Sequence, residues 1–172
     1  MGHQVVYTTH SPEFVELARP QEIIRLHRQP GQLTAARQVS HTTTLDFGRM
    51  QQKLRRMGNE EIAFANHAIL TEGQDDQAVI EELLWRKDVH PDIHSISVVN
   101  CDGASQIKDY VRLCAELGID FYVVHDRDDE SKEPIQRRNS QITATISATS
   151  PPYPSLHGVP RVMEQKPTIL RI

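Results

Sequence analysis

The sequence predicts an α/β domain built on a parallel sheet flanked by helices. Three short apolar runs, at residues 68–71, 96–99 and 120–124, have the length and composition of buried strands. Segments with a helical spacing of apolar residues separate them, so the order is β-α-β-α-β. This order indicates a parallel sheet, because parallel strands need a long crossover connection that is usually a helix.

Length and composition set the outer bounds of the interpretation. The chain has 172 residues, of which 38% are hydrophobic and 5% aromatic, which suits one domain with a modest aliphatic core, or one domain with a fragment of another. Its net charge of −4 neither supports nor excludes a nucleic-acid partner. Cys101 and Cys114 fit no zinc pattern. With no signal peptide and no span of membrane length, we expect a cytoplasmic protein.

Residues 1–45 read as a fragment of a larger domain. A strand from residue 4 runs into a polar turn, and Ser11 and Pro12 are suited to begin a short helix over 13–18. Residues 22–26 and 34–39 are predicted to pair as a hairpin around the turn at 29–32. These segments contain too few apolar residues for a core of their own.

Residues 46–64 are predicted to be a helical connector, in which the helix ends at Gly58-Asn59 and residues 60–64 lead into the first strand. Four apolar residues share one face of it: Leu45, Met50, Leu54 and Met57. Four basic residues occupy its other faces: Arg49, Lys53, Arg55 and Arg56. Such a basic cluster contacts phosphate in some proteins and is more often a solvated helix face, and both interpretations remain open.

The helices of the catalytic region, residues 65–172, follow from the same periodicity. A helix over 75–86 is expected to pack on the sheet through Val79, Ile80, Leu83 and Leu84. The next helix, ending at Gly118, places five residues in the core: Ile107, Tyr110, Val111, Cys114 and Leu117. A further helix over 134–146 and a strand over 157–163 complete the prediction.

Acidic residues follow two of the predicted strands. Glu72 and Asp76 come after the first strand, and Asp126 and Asp128 come after the third. In a parallel sheet the carboxyl ends of the strands meet at one edge, so the four carboxylates should converge. They would repel one another unless a divalent cation neutralised them, which predicts a Mg²⁺ or Mn²⁺ site.

Two local features of the sequence also favour this convergence. Gly73 would let the chain turn sharply between Glu72 and Asp76. Asp126 and Asp128 are two residues apart, and in extended backbone alternate side chains point the same way.

Three neighbouring polar residues receive plainer interpretations. Asp75 is expected to cap the helix that it begins. Asp102, before Gly103, is a turn former more readily than a residue supporting a metal. His125 is expected to be a partly buried residue that closes the third strand, in preference to a ligand.

The acidic motifs resemble a known family. The segment from Glu72 to Asp76, followed by Asp126-Arg-Asp128, is similar to the Toprim (topoisomerase–primase) domain, in which a Glu follows one strand and an Asp-x-Asp a later one. The segment around His10, Thr9 to Pro12, resembles the switch-histidine region near the end of an ABC-type ATPase domain. The two in this order resemble the OLD (overcoming lysogenization defect) family of nucleases, with the Toprim likeness covering residues 67–128.

The resemblance implies a metal-dependent DNA endonuclease. It implies metal ligands at Glu72, Asp76, Asp126 and Asp128, and a further acidic residue and a lysine downstream, for which Glu164 and Lys166 are the candidates. Two metal ions about 4 Å apart would activate the attacking water and stabilise the leaving oxygen. Glu72, Asp126 and Lys166 are then the expected catalytic residues, with Lys166 offsetting the charge of the transition state.

The resemblance also divides the chain. Residues 1–45 would be the tail of the ATPase domain, 46–64 the connector, and 65–172 the Toprim domain. The sequence holds no G-x-x-x-x-G-K-[ST] phosphate loop, so no nucleotide site is expected in this chain. The expected partners are DNA, the ATPase domain of the same protein, and a second copy bound through a part outside this chain. Family members carry a longer segment before the Lys-Pro than this sequence does.

Three alternatives to a DNA nuclease remain open. One is another Toprim enzyme: a topoisomerase, a primase or an RNA-processing nuclease. A topoisomerase would need a nucleophilic tyrosine near the metals, and Tyr7, Tyr110, Tyr122 and Tyr153 occupy no obvious position for this. The second is a receiver-like phosphoacceptor domain, which also has an acidic pocket at a parallel sheet. The third is an interaction module whose pocket binds no metal.

Overall fold

The computed structural model describes residues 6–12, 23–28, 33–38, 45–126, 128 and 131–149, and for residues 169–170 the backbone. The strands are, in chain order, β1 Ile24–His27, β2 Ala35–Gln38, β3 His67–Thr71, β4 Ile96–Asn100, β5 Asp120–Val124 and β6 Ile169–Leu170. The helices are α1 Phe47–Met57, α2 Gln74–Arg86, α3 Pro91–His94, α4 Ala104–Leu117 and α5 Glu133–Thr149, with a 3₁₀ turn at Glu60–Phe64. None of the helices in these ranges is long and apolar enough to cross a membrane.

The predicted parallel sheet is confirmed. Its strand order is β4-β3-β5-β6, and β3 pairs in parallel with both β4 and β5. Thr71 at the end of β3 lies level with Asn100 and Val124, so the three strands end at the same height. β6 extends the sheet beside β5 and has no counterpart among the predicted strands. The strand expected over 157–163 lies outside the described residues.

The core lies between the sheet and α4. All five residues predicted for the core from the spacing of α4 are buried. They pack with the side chains of β3 that face them, Ala68 and Leu70, which are fully buried. α5, longer than the helix predicted over 134–146, packs on α4 through Ile142 and Ile146. Residues from three separate elements therefore close one apolar layer.

The expected packing of α2 is partly wrong. None of its residues is buried: Val79 is 51% exposed and Leu83 47% exposed. The chain moves from β3 to β4 through α2 and back across β3 to β5 through α4, so right-handed crossovers place the two helices on opposite faces. Among the described residues, α5 and the connector pack on the α4 face, whereas α2 packs against β3 and β4 with none of its own residues buried. The predicted apolar stripe of α2 is present, but about half of the surface of Val79 and Leu83 remains exposed.

The helix predicted within residues 46–64 is confirmed, with one exception in where its side chains lie. The Asp46 side chain accepts the Arg49 N–H, and Gly58 ends α1 in the left-handed conformation. Met50 and Leu54 are buried as expected, while Leu45 and Met57 are half-buried. The exception is Lys53, predicted on a solvated or phosphate-binding face.

Lys53 is buried against α4. Its Nζ lies 3.1 Å from Asp109 Oδ2 and donates to Gln106 Oε1 at 2.7 Å. A buried ammonium is stable here because a carboxylate pairs with it.

The predicted hairpin is also confirmed, and one arginine joins it to the domain. β1 and β2 pair antiparallel from Ile24–Gln38 to His27–Ala35. Arg25 is buried, and its guanidinium donates to the carbonyls of Ala63, Ala65, Leu117 and Gly118 and to Asn66 Oδ1. Burial lowers the pKa of Arg25, and the carbonyls at the C-terminal end of α4 are a favourable place for its charge.

The beginning of the chain departs from the prediction. Residues 6–11 form no strand, since the exposed residues 6–10 have no neighbouring strand among the described residues to pair with. The short helix expected over 13–18 lies outside the described residues.

Candidate metal centre at the carboxyl edge of the sheet

The loops at the carboxyl ends of β3 and β4 are held together by hydrogen bonds. The Cys101 N–H donates to Thr71 O at 3.0 Å, and the Gly103 N–H donates to Glu72 O at 2.8 Å. The Thr71 hydroxyl is buried and bonds to Val99 O at 3.0 Å and to Gly73 O at 3.2 Å. The backbone that carries Glu72 is therefore fixed on both sides of the residue.

Glu72 and Asp126 meet at this edge, as the sequence predicts for residues that follow parallel strands. Glu72 Oε2 accepts the backbone N–H of Asp126 at 3.3 Å. Glu72 is half-buried and Asp126 is exposed. The contact fixes one oxygen of Glu72 and leaves the carboxylate of Asp126 open to solvent.

Asp76 lies beside the same loop but also caps its own helix. Its Oδ2 accepts the Gly73 N–H at 3.0 Å, so Asp76, and not the exposed Asp75, is the capping carboxylate of α2. Gly73 has φ −134° and ψ 178°, an extended conformation that any residue adopts. The expectation that this turn depends on glycine is therefore wrong.

Asp128 does not have the extended geometry predicted for it. Its φ is 51°, in the left-handed region, so the alternation that would align it with Asp126 is broken. Asp128 Oδ2 lies 2.7 Å from Nη2 of Arg138 on α5. The sequence interpretation assigned no role to Arg138, and the only signal for it was an arginine pair, Arg137-Arg138, in the helix after the acidic loop.

Asp102 follows β4 and forms a turn, in agreement with the plainer interpretation. Its φ is 64°, and its N–H donates to Asn100 Oδ1 at 2.9 Å. The Asp102 carboxylate pairs with the guanidinium of Arg56 from the connector helix. The negative charge of the edge is thus partly offset by arginines from α1 and α5.

His125 is buried directly behind the acidic residues. Its Nδ1 lies 2.8 Å from Asp126 O, and because a carbonyl can only accept, Nδ1 carries the hydrogen. Within the described ranges, its buried Nε2 has no hydrogen-bond partner. The prediction of a buried residue closing β5 agrees with this position.

Below the edge lie one tyrosine hydroxyl and two thiols that are buried away from solvent. Tyr110 is fully buried, its hydroxyl bonds to Asn59 Nδ2 at 3.0 Å, and burial raises its pKa. Burial likewise raises the pKa of the Cys101 and Cys114 thiols. Tyr110 is therefore placed as a core residue, not as a nucleophile.

The donor chemistry of the predicted ligands suits a hard divalent cation, since all five are carboxylates. In the part of the chain that the structure describes, however, no group of three or more His, Cys, Asp or Glu side chains is close enough to hold a metal ion. Asp76 is turned to its cap and Asp128 to Arg138. Glu164 and Lys166 lie outside the described residues.

One comparison with known proteins concerns the acidic region directly. The family model "Overcoming lysogenization defect protein-like, TOPRIM domain" matches residues 64–128. The chain carries an OLD-like Toprim domain. The match runs from the 3₁₀ turn to Asp128 and includes the two acidic motifs on which the resemblance was based.

Two curated proteins are similar to most of the chain. The chain is 28% identical over 176 residues to the OLD nuclease of Thermus scotoductus (strain ATCC 700910 / SA-01), covering 96% of this chain and 33% of that protein. It is 29% identical over 131 residues to the uncharacterized protein YbjD of Escherichia coli (strain K12), covering 76% and 23% respectively. The chain therefore spans a third or less of the length of these curated relatives.

A solved structure is also similar to the chain. The C-terminal region of the Burkholderia pseudomallei OLD protein matches with a TM-score of 0.41 and 26% identity, covering 46% of this chain and 42% of that one.

Proposed function

We propose that this chain is the catalytic part of a metal-dependent DNA endonuclease that hydrolyses phosphodiester bonds with two Mg²⁺ or Mn²⁺ ions. The observation that carries the proposal is the meeting of Glu72 and Asp126 at one edge of the sheet, 3.3 Å between Glu72 Oε2 and the Asp126 N–H. Two acidic loops that are far apart in sequence bring carboxylates to this edge, and carboxylate oxygens are the ligands that a hard divalent cation prefers.

We assign the proposed ligands by their positions. Glu72 and Asp76 would hold one ion, Asp126 and Asp128 the other or a shared position, and Glu164 would complete a shell. Asp126 and Asp128 are exposed, so their carboxylates are accessible to a cation. The weak exposed pair between Asp128 and Arg138 is no large barrier to this, because such pairs stabilise by about 0–1 kcal/mol.

The chemistry follows from charge. When bound, divalent cations add positive charge at the scissile phosphate and lower the pKa of a coordinated water. Glu72 is held by the loop hydrogen bonds on either side of it, so its carboxylate is fixed before substrate arrives. Lys166 is proposed to offset negative charge on the phosphate oxygens during the displacement.

The setting of the domain is part of the proposal. The relative named OLD nuclease is about three times as long as the segment matched here, which leaves room for the additional ATPase domain that we propose for the full-length protein. His10 is exposed at the end of the chain that would join such a domain. We propose DNA as the substrate, the ATPase domain as the partner, a homodimer formed outside this chain, and the cytoplasm as the location.

Plasmid cleavage tests the proposal. The chain should nick or cut supercoiled plasmid DNA in Mn²⁺ and lose this activity in EDTA. Glu72→Ala and Asp126→Ala should each reduce the rate by at least about a hundredfold, because each removes a charged group that acts at the reacting phosphate. Asp75→Ala, a carboxylate exposed in the same helix turn as Asp76, is the matched control and should cleave normally.

Cleavage at the normal rate by both Glu72→Ala and Asp126→Ala would overturn the proposal. Circular dichroism spectra of the variants should match that of the original chain, so that loss of activity is not loss of fold.

A further inference from the structure

Two arginines flank the acidic edge of the sheet. Arg56, from α1, pairs with Asp102, which follows β4. Arg138, from α5, pairs with Asp128, which follows β5. Since β3 lies between β4 and β5 in the sheet, Glu72 lies between the two ion pairs. Positive charge is therefore present on both sides of the residues proposed to bind metal.

Arg138 is oriented by its surroundings. Its Nε and Nη2 both donate to Asn139 Oδ1, each at 3.3 Å, and Nη2 also lies 2.7 Å from Asp128 Oδ2. The side chain is 25% exposed. Within the described residues Nη1 has no acceptor, so two N–H donors of a positioned guanidinium remain for another oxygen.

Arg56 also has guanidinium donors available for an anion, and its side chain is more exposed than that of Arg138. Its side chain is 65% exposed and that of Asp102 is 47% exposed. An ion pair so exposed is worth little, and a guanidinium has five donors, of which a carboxylate uses at most two. Arg56 can therefore bind a second anion at small cost, whereas Lys53, buried against Asp109, cannot.

The spacing fits a nucleic-acid backbone. Neighbouring strands are about 4.8 Å apart, so the ends of β4 and β5 are separated by about 10 Å. Along the axis of B-DNA, the phosphates of one strand advance by about 3.4 Å per nucleotide, so about 10 Å of axis length corresponds to about three nucleotides. A phosphate at the Glu72 position would have neighbours on the two flanks where the arginines lie.

We propose that Arg56 and Arg138 bind the DNA backbone on either side of the phosphate to be cleaved. This inference rests on the proposed nuclease function and adds to it the residues that position the substrate. It also explains how an acidic edge in a chain of net charge −4 holds a polyanion: guanidinium groups, which match phosphate oxygens in a fork, supply the local attraction.

Binding of a fluorescent DNA duplex to the full chain tests the inference. The background is Asp126→Asn, which should not cleave, and anisotropy in Mg²⁺ gives the affinity at several salt concentrations. Arg56→Ala and Arg138→Ala should each weaken binding at least about tenfold and reduce the slope of log affinity against log salt by about one. The double variant should reduce the slope by about two.

Matched controls lie next to each arginine in the sequence. Arg55 and Arg137 are exposed on the same helices, so Arg55→Ala and Arg137→Ala remove the same charge and should change affinity by less than about twofold. Arg56→Lys and Arg138→Lys keep the charge and should restore the salt slope. Thermal unfolding should show that all variants fold.

The inference is overturned if Arg56→Ala and Arg138→Ala weaken binding no more than their controls, if the salt slope stays unchanged, or if the background binds no DNA at any salt concentration. The proposed function is judged separately, by whether Asp126→Asn cleaves plasmid. Cleavage by that variant contradicts the nuclease assignment of Asp126 and leaves the salt slopes to decide on the arginines.

Discussion

The backbone N–H of Asp126 lies 3.3 Å from Oε2 of Glu72, although the two residues are 54 positions apart in the sequence. The contact depends on the level ending of β3 and β5, which places the residues after Thr71 and Val124 side by side. The proposed metal site requires that these two residues lie close together.

Metal binding should stabilise the chain independently of any nucleic acid. At a free ion concentration of a hundred times its Kd, binding to the folded state alone adds about 2.7 kcal/mol to the free energy of unfolding. We expect Mn²⁺ or Mg²⁺ to raise Tm by several degrees in calorimetry. Glu72→Gln and Asp126→Asn should reduce this rise, while the exposed Asp75→Asn should keep it. An equal rise in all three variants would place the cation elsewhere.

Replacing Arg25 should destabilise the fold strongly. In Arg25→Ala, four carbonyls and the amide oxygen of Asn66 lose their charged donor. Since a hydrogen bond to a charged group contributes about 1.5–3 kcal/mol, we expect a loss of about 3 kcal/mol or more in urea unfolding. Arg28, exposed just after β1, is the control, and Arg28→Ala should cost less than about 0.5 kcal/mol. Similar losses in both would mean that the hairpin is not anchored by Arg25.

Stability should fall at alkaline pH because of two buried thiols. Burial raises the folded-state pKa of Cys101 and Cys114, while a thiol in the unfolded chain has a pKa of about 8.5. Above that pH the unfolded state has lost protons that the folded state keeps, so the free energy of unfolding decreases as pH rises. Each thiol contributes a slope that approaches about 1.4 kcal/mol per pH unit.

The measurement for the thiols is urea unfolding between pH 7 and 9, where a tyrosine of the unfolded chain, with a pKa of about 10, is still mostly protonated. Cys101→Ala with Cys114→Ala should flatten the decrease, whatever its effect on stability at pH 7. A decrease of the same steepness in the double variant would assign the effect to other groups.

Two leucines at similar positions in their helices should respond very differently to truncation. Leu113 on α4 is fully buried, so Leu113→Ala should cost about 2–5 kcal/mol through lost burial and the cavity left behind. Leu83 on α2 is 47% exposed, and Leu83→Ala should cost about 1 kcal/mol or less. Urea unfolding of both variants gives the comparison. Equal costs would show that the α2 face is covered in solution.

The contrast between α2 and α4 shows what the helical spacing of apolar residues can predict and what it cannot. Both helices carry an apolar stripe, and the same pattern predicted that both would be buried. For α4 the prediction is confirmed, because the sheet, α5 and the connector all pack on it. Periodicity states which face of a helix is apolar, but how completely that face is covered depends on elements elsewhere in the chain.

The ion pairs at the edge illustrate the other gap between sequence and structure. The strand order predicts that Glu72 and Asp126 meet, since Glu72 directly follows β3 and Asp126 is the second residue after β5. It does not predict that Asp128 turns to Arg138, because a left-handed residue and a helix ten positions later decide this. Lys53 and Arg56 differ by less than one helical turn, yet one is buried and the other reaches the edge.

The sequence by itself determined the parallel sheet, the helices between its strands, the core face of α4 and the acidic residues that follow β3 and β5. These features follow from the spacing of apolar and acidic residues along the sequence, which does not depend on contacts between distant parts of the chain. Only the tertiary structure decided that Arg25 is buried in the base of the domain, that α2 stays half covered, and that arginines offset the charge of Asp102 and Asp128. Each of these depends on how close groups that are remote in sequence come to one another in the folded chain. Burial and Coulomb attraction depend on this distance in space and not on the separation in sequence.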